Sequence, residues 1–375
     1  MNKRIYILAL VIAVLIGACK KDITDLNVNP NDSQTPNPDL LFKHSVKRGM
    51  SNYLTATNLE YNGIAHWVMY FSSRGGINAN TPYISPPGGD NYWSESYIDA
   101  MNNAQIIIDY EETANEDFSN LKAAALIWKS FLAHRVTDLW GAIPYSEALQ
   151  GNPELSLAPG YDTQQEVYTR LFADLELAAS LLDDTAVAIN ADSDLLFAGN
   201  IDSWRRFANS LRFRLAMRVS NVNEALANEV LTDLESADLF ESNAGSAEFQ
   251  FNSVFNNPLN EAGNIRFSEG AQYVNPSKFL VDLLLEKDDP RIKFYIEEAS
   301  LYDTFDFLDR YKGVPSLLPF TSEEWGDYNL DETLGDPNGE WGDVSRIGEF
   351  FMTNERPVPL LSYSELRFLQ AEASL

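Results

Sequence analysis

Trp67, Tyr70 and Arg74, followed by Tyr83, Tyr92, Trp93 and Tyr97, crowd ring and guanidinium chemistry into one stretch broken by Gly75-Gly76, Pro86-Pro87 and Gly88-Gly89. Aromatic rings stack on the apolar C–H faces of sugars, while Arg, Asn and Asp offer forked hydrogen bonds to sugar hydroxyls. Glycine and proline interrupt regular structure and place such side chains in loops that can present them. A second set, Trp325, Tyr328 and Trp341, falls between Asp303 and Pro359, where helical patterning lapses and Gly, Pro, Asp and Trp dominate. A loop-rich insertion of that length is usually functional or disordered, and its rings point to function. Trp67, Tyr70, Arg74, Tyr92, Trp93, Trp325, Tyr328 and Trp341 are therefore the candidate ligand-binding residues. Trp67, Tyr70 and Phe71, at helical spacing, also fit a buried face. Tyr92 and Trp93, beside Gly-Gly-Asp-Asn, are expected to be exposed.

Catalysis has weaker support. His44, His66 and His134 lie far apart without metal-ligand spacing, and neither a nucleophile elbow nor a phosphate-cradling glycine loop occurs. Each histidine is read as structural, with no catalytic residue, metal or cofactor expected. The pairs Asp183-Asp184, Asp288-Asp289 and Glu323-Glu324 could supply an acid and a base for glycoside cleavage. With 55 acids in the chain such pairs arise by chance, and a solvated face explains them. Asp336-Pro337-Asn338-Gly339 lacks the spaced ligands of a calcium loop and reads as a β-turn.

The single cysteine, Cys19, follows basic Lys3 and Arg4, an apolar run from Ile5 to Ile16, and small Gly17 and Ala18. That run is too short to span a bilayer, which takes about 20 helical residues, so residues 1–18 read as an export signal. Ile16-Gly17-Ala18-Cys19 resembles the bacterial lipobox, in which the cysteine becomes the acylated (palmitate-bearing) N-terminus of the mature protein. Each buried acyl methylene is worth about 0.8 kcal/mol, enough for several chains to hold a domain on a membrane. The alternative, an ordinary secretory signal, would leave an exported free thiol without a second cysteine to pair with.

The 375 residues carry a net charge of −28, deepened by loss of Lys3 and Arg4 with the signal. Such a surface repels phosphate backbones and anionic headgroups, so nucleic acid is excluded as a partner and the lipid, not a basic patch, makes the membrane contact.

The elements that must position these residues read as helices. Residues 19–38, rich in Asn and Pro, form a tether, and 39–375 a single domain. Leu121, Ala125, Trp128, Leu132, Val136 and Leu139 make one stripe of a helix that stops near Gly141. A helix from Gln164 to about Leu182 opens on a Thr163–Glu166 capping box. Trp204, Phe207, Leu211, Leu215 and Val219 mark another, with Asp202 as expected N-cap. Asn275-Pro276 is expected to open a helix carrying Phe279, Leu280, Leu283 and Leu284. Strand alternation is confined to short runs such as Glu248 to Phe251. A second capping box, Ser362 and Glu365, opens a helix with Leu366, Leu369 and Ala373 on one face, after which the sequence stops at Leu375. That apolar face expects a partner, which points to a fragment lacking its C-terminal helices. The fold class is mainly α: helical hairpins of the tetratricopeptide kind with long irregular loops, without an exact repeat of about 34 residues.

Five segments then resemble one family. His134 to Ala148, reading H-R-V-T-D-L-W-G-A-I-P-Y-S-E-A, is similar to a hallmark segment of the SusD/RagB nutrient-binding lipoproteins. Tyr161 to Tyr168, Trp204 to Arg218, Asp289-Pro290-Arg291 and Leu360 to Ala373 match further segments in order. The resemblance implies a tetratricopeptide-like helical fold anchored on the outer face of the outer membrane. It implies a lid over a TonB-dependent SusC-like transporter that delivers glycans or, in some members, peptides. Lys20-Lys21-Asp22 resembles the family's surface-export signal. The matched segments read as scaffold, so no ligand residue carries over. Arg205, Arg206, Arg212, Arg214 and Arg218 on one helix admit two readings, internal pairing with carboxylates or contact with the transporter. The expected function is non-enzymatic capture of oligosaccharides. The alternatives are peptide capture on the same scaffold and a helical glycoside hydrolase, which needs two buried carboxylates about 5–9.5 Å apart.

Overall fold

Helix α1 (Pro38–Thr55) opens the described part of this computed structural model, which covers residues 36–55, 68–72, 89–114, 116–150, 158–252, 255, 275–299, 310–315, 344–351, 353, 355 and 357–375. Proline at its first position is preorganised for a helix and lacks an N–H that would have no partner there. Next come strand β1 (Phe71–Ser72) and helix α2 (Gly89–Glu95), which continues through a π-helical turn (Ser96–Met101) into α3 (Asn102–Ile108). The long helices α4 (Ser119–Trp140), α5 (Gln164–Leu181), α6 (Ile201–Val219) and α7 (Glu224–Asp233) follow.

Each of these helices packs on its neighbour in sequence, and side-chain bonds fix alternating directions. Asn120, at the start of α4, donates to Asp183 O (2.8 Å) and Val187 O (3.0 Å), just past the end of α5. At the other end Gln164 of α5 donates to Thr137 O of α4 (2.8 Å), and Arg218, late in α6, donates to Tyr168 Oη near the start of α5 (3.2 Å). The helices therefore run up and down as stacked hairpins, and the chain is mainly helical.

α4 lies at the centre. The expected stripe of Leu121, Ala125, Trp128, Leu132 and Val136 is buried, but so are Ala123, Ala124, Ile127 and Phe131 on its other faces. A helix that is apolar all round is one enclosed by neighbours, here α1, α3, α5 and α6. Only the end of the stripe departs from expectation: Leu139 is 39% exposed. α1 meets α4 at close range. A Cβ on Gly49 would lie 2.5 Å from Trp128 Cζ2, so glycine is what permits the approach. Trp128 Nε1 donates to Ser45 Oγ (3.1 Å), which donates onward to Ala100 O (2.7 Å), tying three elements through one hydroxyl.

Local signals define most helix ends. The Thr163–Glu166 capping box forms in both directions, and Gly141 closes α4 at φ 76°. Three caps differ from expectation. Asn200, not Asp202, caps α6, its Oδ1 accepting from Ser203 N (2.8 Å); Asp202 instead sits in the first turn, paired with Arg205. Asn275-Pro276 forms strand β3, antiparallel to β1, and Ser277 caps helix α8 (Lys278–Glu286). α8 buries Val281 and Leu284, while Phe279 and Leu283 face outward at 50% and 36% exposure. The Ser362–Glu365 box is half made: Ser362 Oγ accepts from Glu365 N (3.1 Å), but the Glu365 carboxylate goes to Arg214.

Strand β2 (Ala247–Gln250) appears where alternation placed it, one residue earlier. After α8 come helix α9 (Ile292–Tyr295), β4 (Ile296–Glu297), β5 (Arg346–Ile347), β6 (Pro357–Leu361) and helix α10 (Tyr363–Ala373). β2 pairs antiparallel with β6, and β4 with β5. A small second core of Val281, Leu284, Ile292, Ile296 and Tyr311 sits under this region. Between 303 and 359, the described residues carry these short strands and a 3-10 turn in place of long helices.

All five α6 arginines have intramolecular partners. Arg205 meets Asp184 and Asp202, Arg206 meets Glu241, and Arg212 meets Asp233 (2.6 Å). Arg214 holds Glu365 through two nitrogens (2.7 and 2.6 Å) and Leu360 O (2.8 Å), fastening β6 and α10 to α6. Arg218 pairs with Asp138. Internal pairing is the reading the structure supports.

Candidate functional site

The site is built on the corner where α4 ends. Gly141 N donates to Thr137 O (2.7 Å), so the helix stops just after Trp140. Residues 143 and 162 then form an antiparallel bridge. The Asp162 carboxylate accepts from Tyr145 N (3.0 Å), Ser146 N (2.7 Å) and Ser146 Oγ (2.7 Å), and Glu147 accepts from Gly160 N (2.9 Å). Burial would raise the Asp162 carboxyl, but these donors outweigh it and hold its pKa below the usual range. Two side chains are left at the outer edge of this rigid turn. Trp140 is 38% exposed and Tyr161 66%.

α2 brings its rings to the same place. The half-buried Trp93 ring lies 5.3 Å from Trp140 edge-on, 6.4 Å from Tyr161 nearly parallel, and 5.0 Å from Tyr97. Tyr92 stacks on Trp140 at 5.9 Å. Tyr97 Oη donates to Pro144 O (2.7 Å), locking α2 to the corner; burial first, then the nearby Tyr161 and Asp162, push its hydroxyl pKa up, so it stays protonated. Offset and edge-on contacts at these distances are the favourable ring geometries. The result is a ledge of Trp93, Trp140 and Tyr161, stiffened from below by Tyr92 and Tyr97. Among the described residues, neither indole N–H of Trp93 and Trp140 has a hydrogen-bond acceptor. Such a ledge can stack on the flat apolar face of a ring-shaped ligand.

The structure thus brings together Trp93 and Tyr92 of the expected residues, with one correction. Tyr92 is 2% exposed, not presented: it lies within a helix, where its ring is covered by Trp140 and its Oη accepts from Arg135 Nε (3.1 Å). Tyr70 is 52% exposed but lies beside β3, its carbonyl accepting from Ser277 N (3.0 Å); no ring contact among the described residues joins it to the ledge. Cys19, Trp67, Arg74, Trp325, Tyr328 and Trp341 lie outside the described residues. Trp140 and Tyr161 were missed because both fall in segments read as scaffold. Their signal was position: a ring in the last residue before a helix-stopping glycine, and another just ahead of a capping box, have no following turn to cover them.

The Asp162, Glu147 and Asp138 carboxylates are committed. Besides Asp162 and Glu147, Asp138 accepts from Tyr168 Oη (2.6 Å) and pairs with Arg218 (2.5 Å). Of the acidic pairs, Asp183 accepts from Thr185, Asp184 meets Arg205, and Asp289 is clamped by Arg291, its pKa drawn down to about 2 by that guanidinium. Glu323-Glu324, like His66 and Asp336-Pro337-Asn338-Gly339, lies outside the described residues. His134 is buried and His44 lies beside Asn103 (3.0 Å). Among the described residues, no three His, Cys, Asp or Glu side chains gather as a metal site requires.

A family model described as SusD-like, starch-binding and associating with the outer membrane matches residues 30–375. None of the curated proteins matches the sequence. Solved structures do. A chitin-binding protein is 26% identical with a TM-score of 0.69, the match covering 90% of this chain and 70% of that one. A SusD homologue from Bacteroides vulgatus is 26% identical with a TM-score of 0.67, covering 89% of this chain and 65% of that one. A chitin-binding SusD homologue from Flavobacterium johnsoniae, 24% identical with a TM-score of 0.69 and covering 88% and 65%, shares the fold.

Proposed function

The chain belongs to the SusD-like family of starch-binding proteins that associate with the outer membrane, and from that premise we propose that it captures oligosaccharides without cleaving them. In this reading it hands them to a TonB-dependent SusC-like transporter, while a lipid on Cys19 holds it at the cell surface. The ledge of Trp93, Trp140 and Tyr161 carries the proposal. Its rings give a stacking surface, and a partly exposed ledge favours modest affinity, which suits a protein that must release its cargo.

The committed carboxylates support the non-enzymatic part. A glycosidase needs an acid and a second carboxylate free to act on opposite sides of one bond. Asp162, Glu147 and Asp138 are instead engaged in backbone amides, a hydroxyl and an ion pair. Among the described residues, no helix is long and apolar enough to cross a membrane, and the acyl chains on Cys19 would supply the contact.

Calorimetric titration with maltohexaose and chitohexaose tests the proposal. Binding of either, weakened at least tenfold in Trp140→Ala, with no new reducing ends on prolonged incubation, is expected. Release of shorter sugars would point to the hydrolase, and silence on glycans with binding to peptides would favour peptide capture. Changing Cys19→Ser should move the protein from the membrane to the soluble fraction.

A further inference from the structure

On the side of α4 turned away from the ledge, four helix ends converge around a cleft. α4 stops, α5 begins, α6 stops and α7 begins at one end of the stack, bordering a half-open cleft of about 600 Å³. That volume lies within the range of small-ligand pockets, about 300–1,000 Å³. Asp138 belongs to it and Trp140 to the ledge, two residues apart on one helix and so about 200° apart around its axis. The contacts agree: Trp140 meets α2, while Asp138 meets α5 and α6.

The lining is electrically closed. Its acid, Asp138, is paired with its base, Arg218, at 2.5 Å, and Tyr168 Oη joins both, donating to the carboxylate and accepting from Arg218 Nε. In a chain of net charge −28 this is a neutral pocket. A charged ligand would have to break the pair or stay uncompensated. The remaining polar groups are carboxamides. Gln164 spends Nε2 on Thr137 O and Asn223 spends Oδ1 on Leu226 N, which leaves Gln164 Oε1, Asn223 Nδ2 and the whole Gln165 carboxamide without partners among the described residues. Acceptors and donors thus line one space without a net charge. Val219, Val222 and Leu226 add apolar lining to the same cleft, Val222 being 85% exposed.

We propose that this cleft is a separate subsite for one uncharged sugar unit, whose hydroxyls bond the carboxamides of Gln164, Gln165 and Asn223 and whose C–H face lies on Val219, Val222 and Leu226. The proposal rests on the glycan reading for its ligand class alone; it does not need the ledge. Binding of one unit is weak, near the millimolar range, and gains from a longer chain engaged elsewhere on the protein.

Methyl-resolved NMR of the full chain, titrated with glucose and with N-acetylglucosamine, tests it. The Val219, Val222 and Leu226 methyls should shift saturably, in the parent and in Trp140→Ala alike. Val222→Glu, at a solvent-facing position, should abolish saturation, and Gln165→Ala should weaken it about three- to tenfold. Methyls that stay still at tens of millimolar sugar, or that respond as strongly to trialanine, overturn the subsite. Pocket shifts without any ledge response would sink the ledge while sparing the subsite, and the reverse pattern would do the opposite.

Discussion

Two aromatic clusters stand in this protein at similar ring spacing, and only one is sealed. In the first, Phe42, Trp128, Phe131, Trp204 and Phe207 are fully buried, with centroids 5.4–6.1 Å apart along the cluster. In the second, Tyr92, Trp93, Trp140 and Tyr161 lie 5.3–6.4 Å apart, yet Trp140 and Tyr161 keep much of their surface in water. The indole N–H groups show the same contrast. Trp128 donates to Ser45 and Trp204 to the buried Asp194 (2.8 Å), whereas those of the ledge find no acceptor among the described residues. A ring cluster whose polar handles and faces are satisfied internally is core. One that keeps ring faces in water is a surface with something left to bind.

The contrast can be broken at either end. The largest effect is expected inside the sealed cluster, where Trp128→Ala removes a fully buried indole that α1 approaches through Gly49. It should cost about 3–5 kcal/mol in urea unfolding; a loss near zero would mean the cluster is not the core. His134 comes next. It packs edge-on to Phe131 at 5.3 Å, and burial first, then Arg214, Arg135 and Arg218, depress its pKa well below the usual 6.5. The unfolded chain therefore takes up a proton near pH 6.5 that the folded chain refuses. Stability is full above that pH and falls below it by up to about 1.4 kcal/mol per pH unit. Unfolding midpoints between pH 7 and 5 should show this slope, and His134→Phe should flatten it.

Trp140→Ala should cost less, about 1–2 kcal/mol for two ring contacts, while weakening oligosaccharide binding at least tenfold. A Trp140 as costly as Trp128 would erase the distinction between the clusters. Smallest is Tyr161→Ala, within about 0.5 kcal/mol of the parent in stability, as for an exposed side chain, but measurable in binding.

Local chemistry explains what could be read from residues alone. A capping box is written in four residues, and Thr163–Glu166 forms as expected; Gly141 stops α4 for the same local reason. Where two candidates stood close, the pattern alone did not choose. Asn200 caps α6 while Asp202, inside its first turn, pairs with Arg205, and the Ser362 box is half made because Arg214, 151 residues away, claims Glu365. The ledge was legible only in part. Trp93 was identified from its glycine-rich surroundings, but Tyr92 turned inward with the helix, and Trp140 and Tyr161 meet Trp93 through a corner that no local pattern specifies. The cleft on the other side of α4, made of four helix ends, has no signature in any one segment.

The claim that the ledge binds sugar is tested most directly by the seven tryptophan indole resonances during titration with maltohexaose or chitohexaose. Trp93 and Trp140 should shift saturably while Trp128 and Trp204, buried in the sealed cluster, stay in place. Unmoved Trp93 and Trp140 resonances in a titration where the protein demonstrably binds glycan would contradict the account.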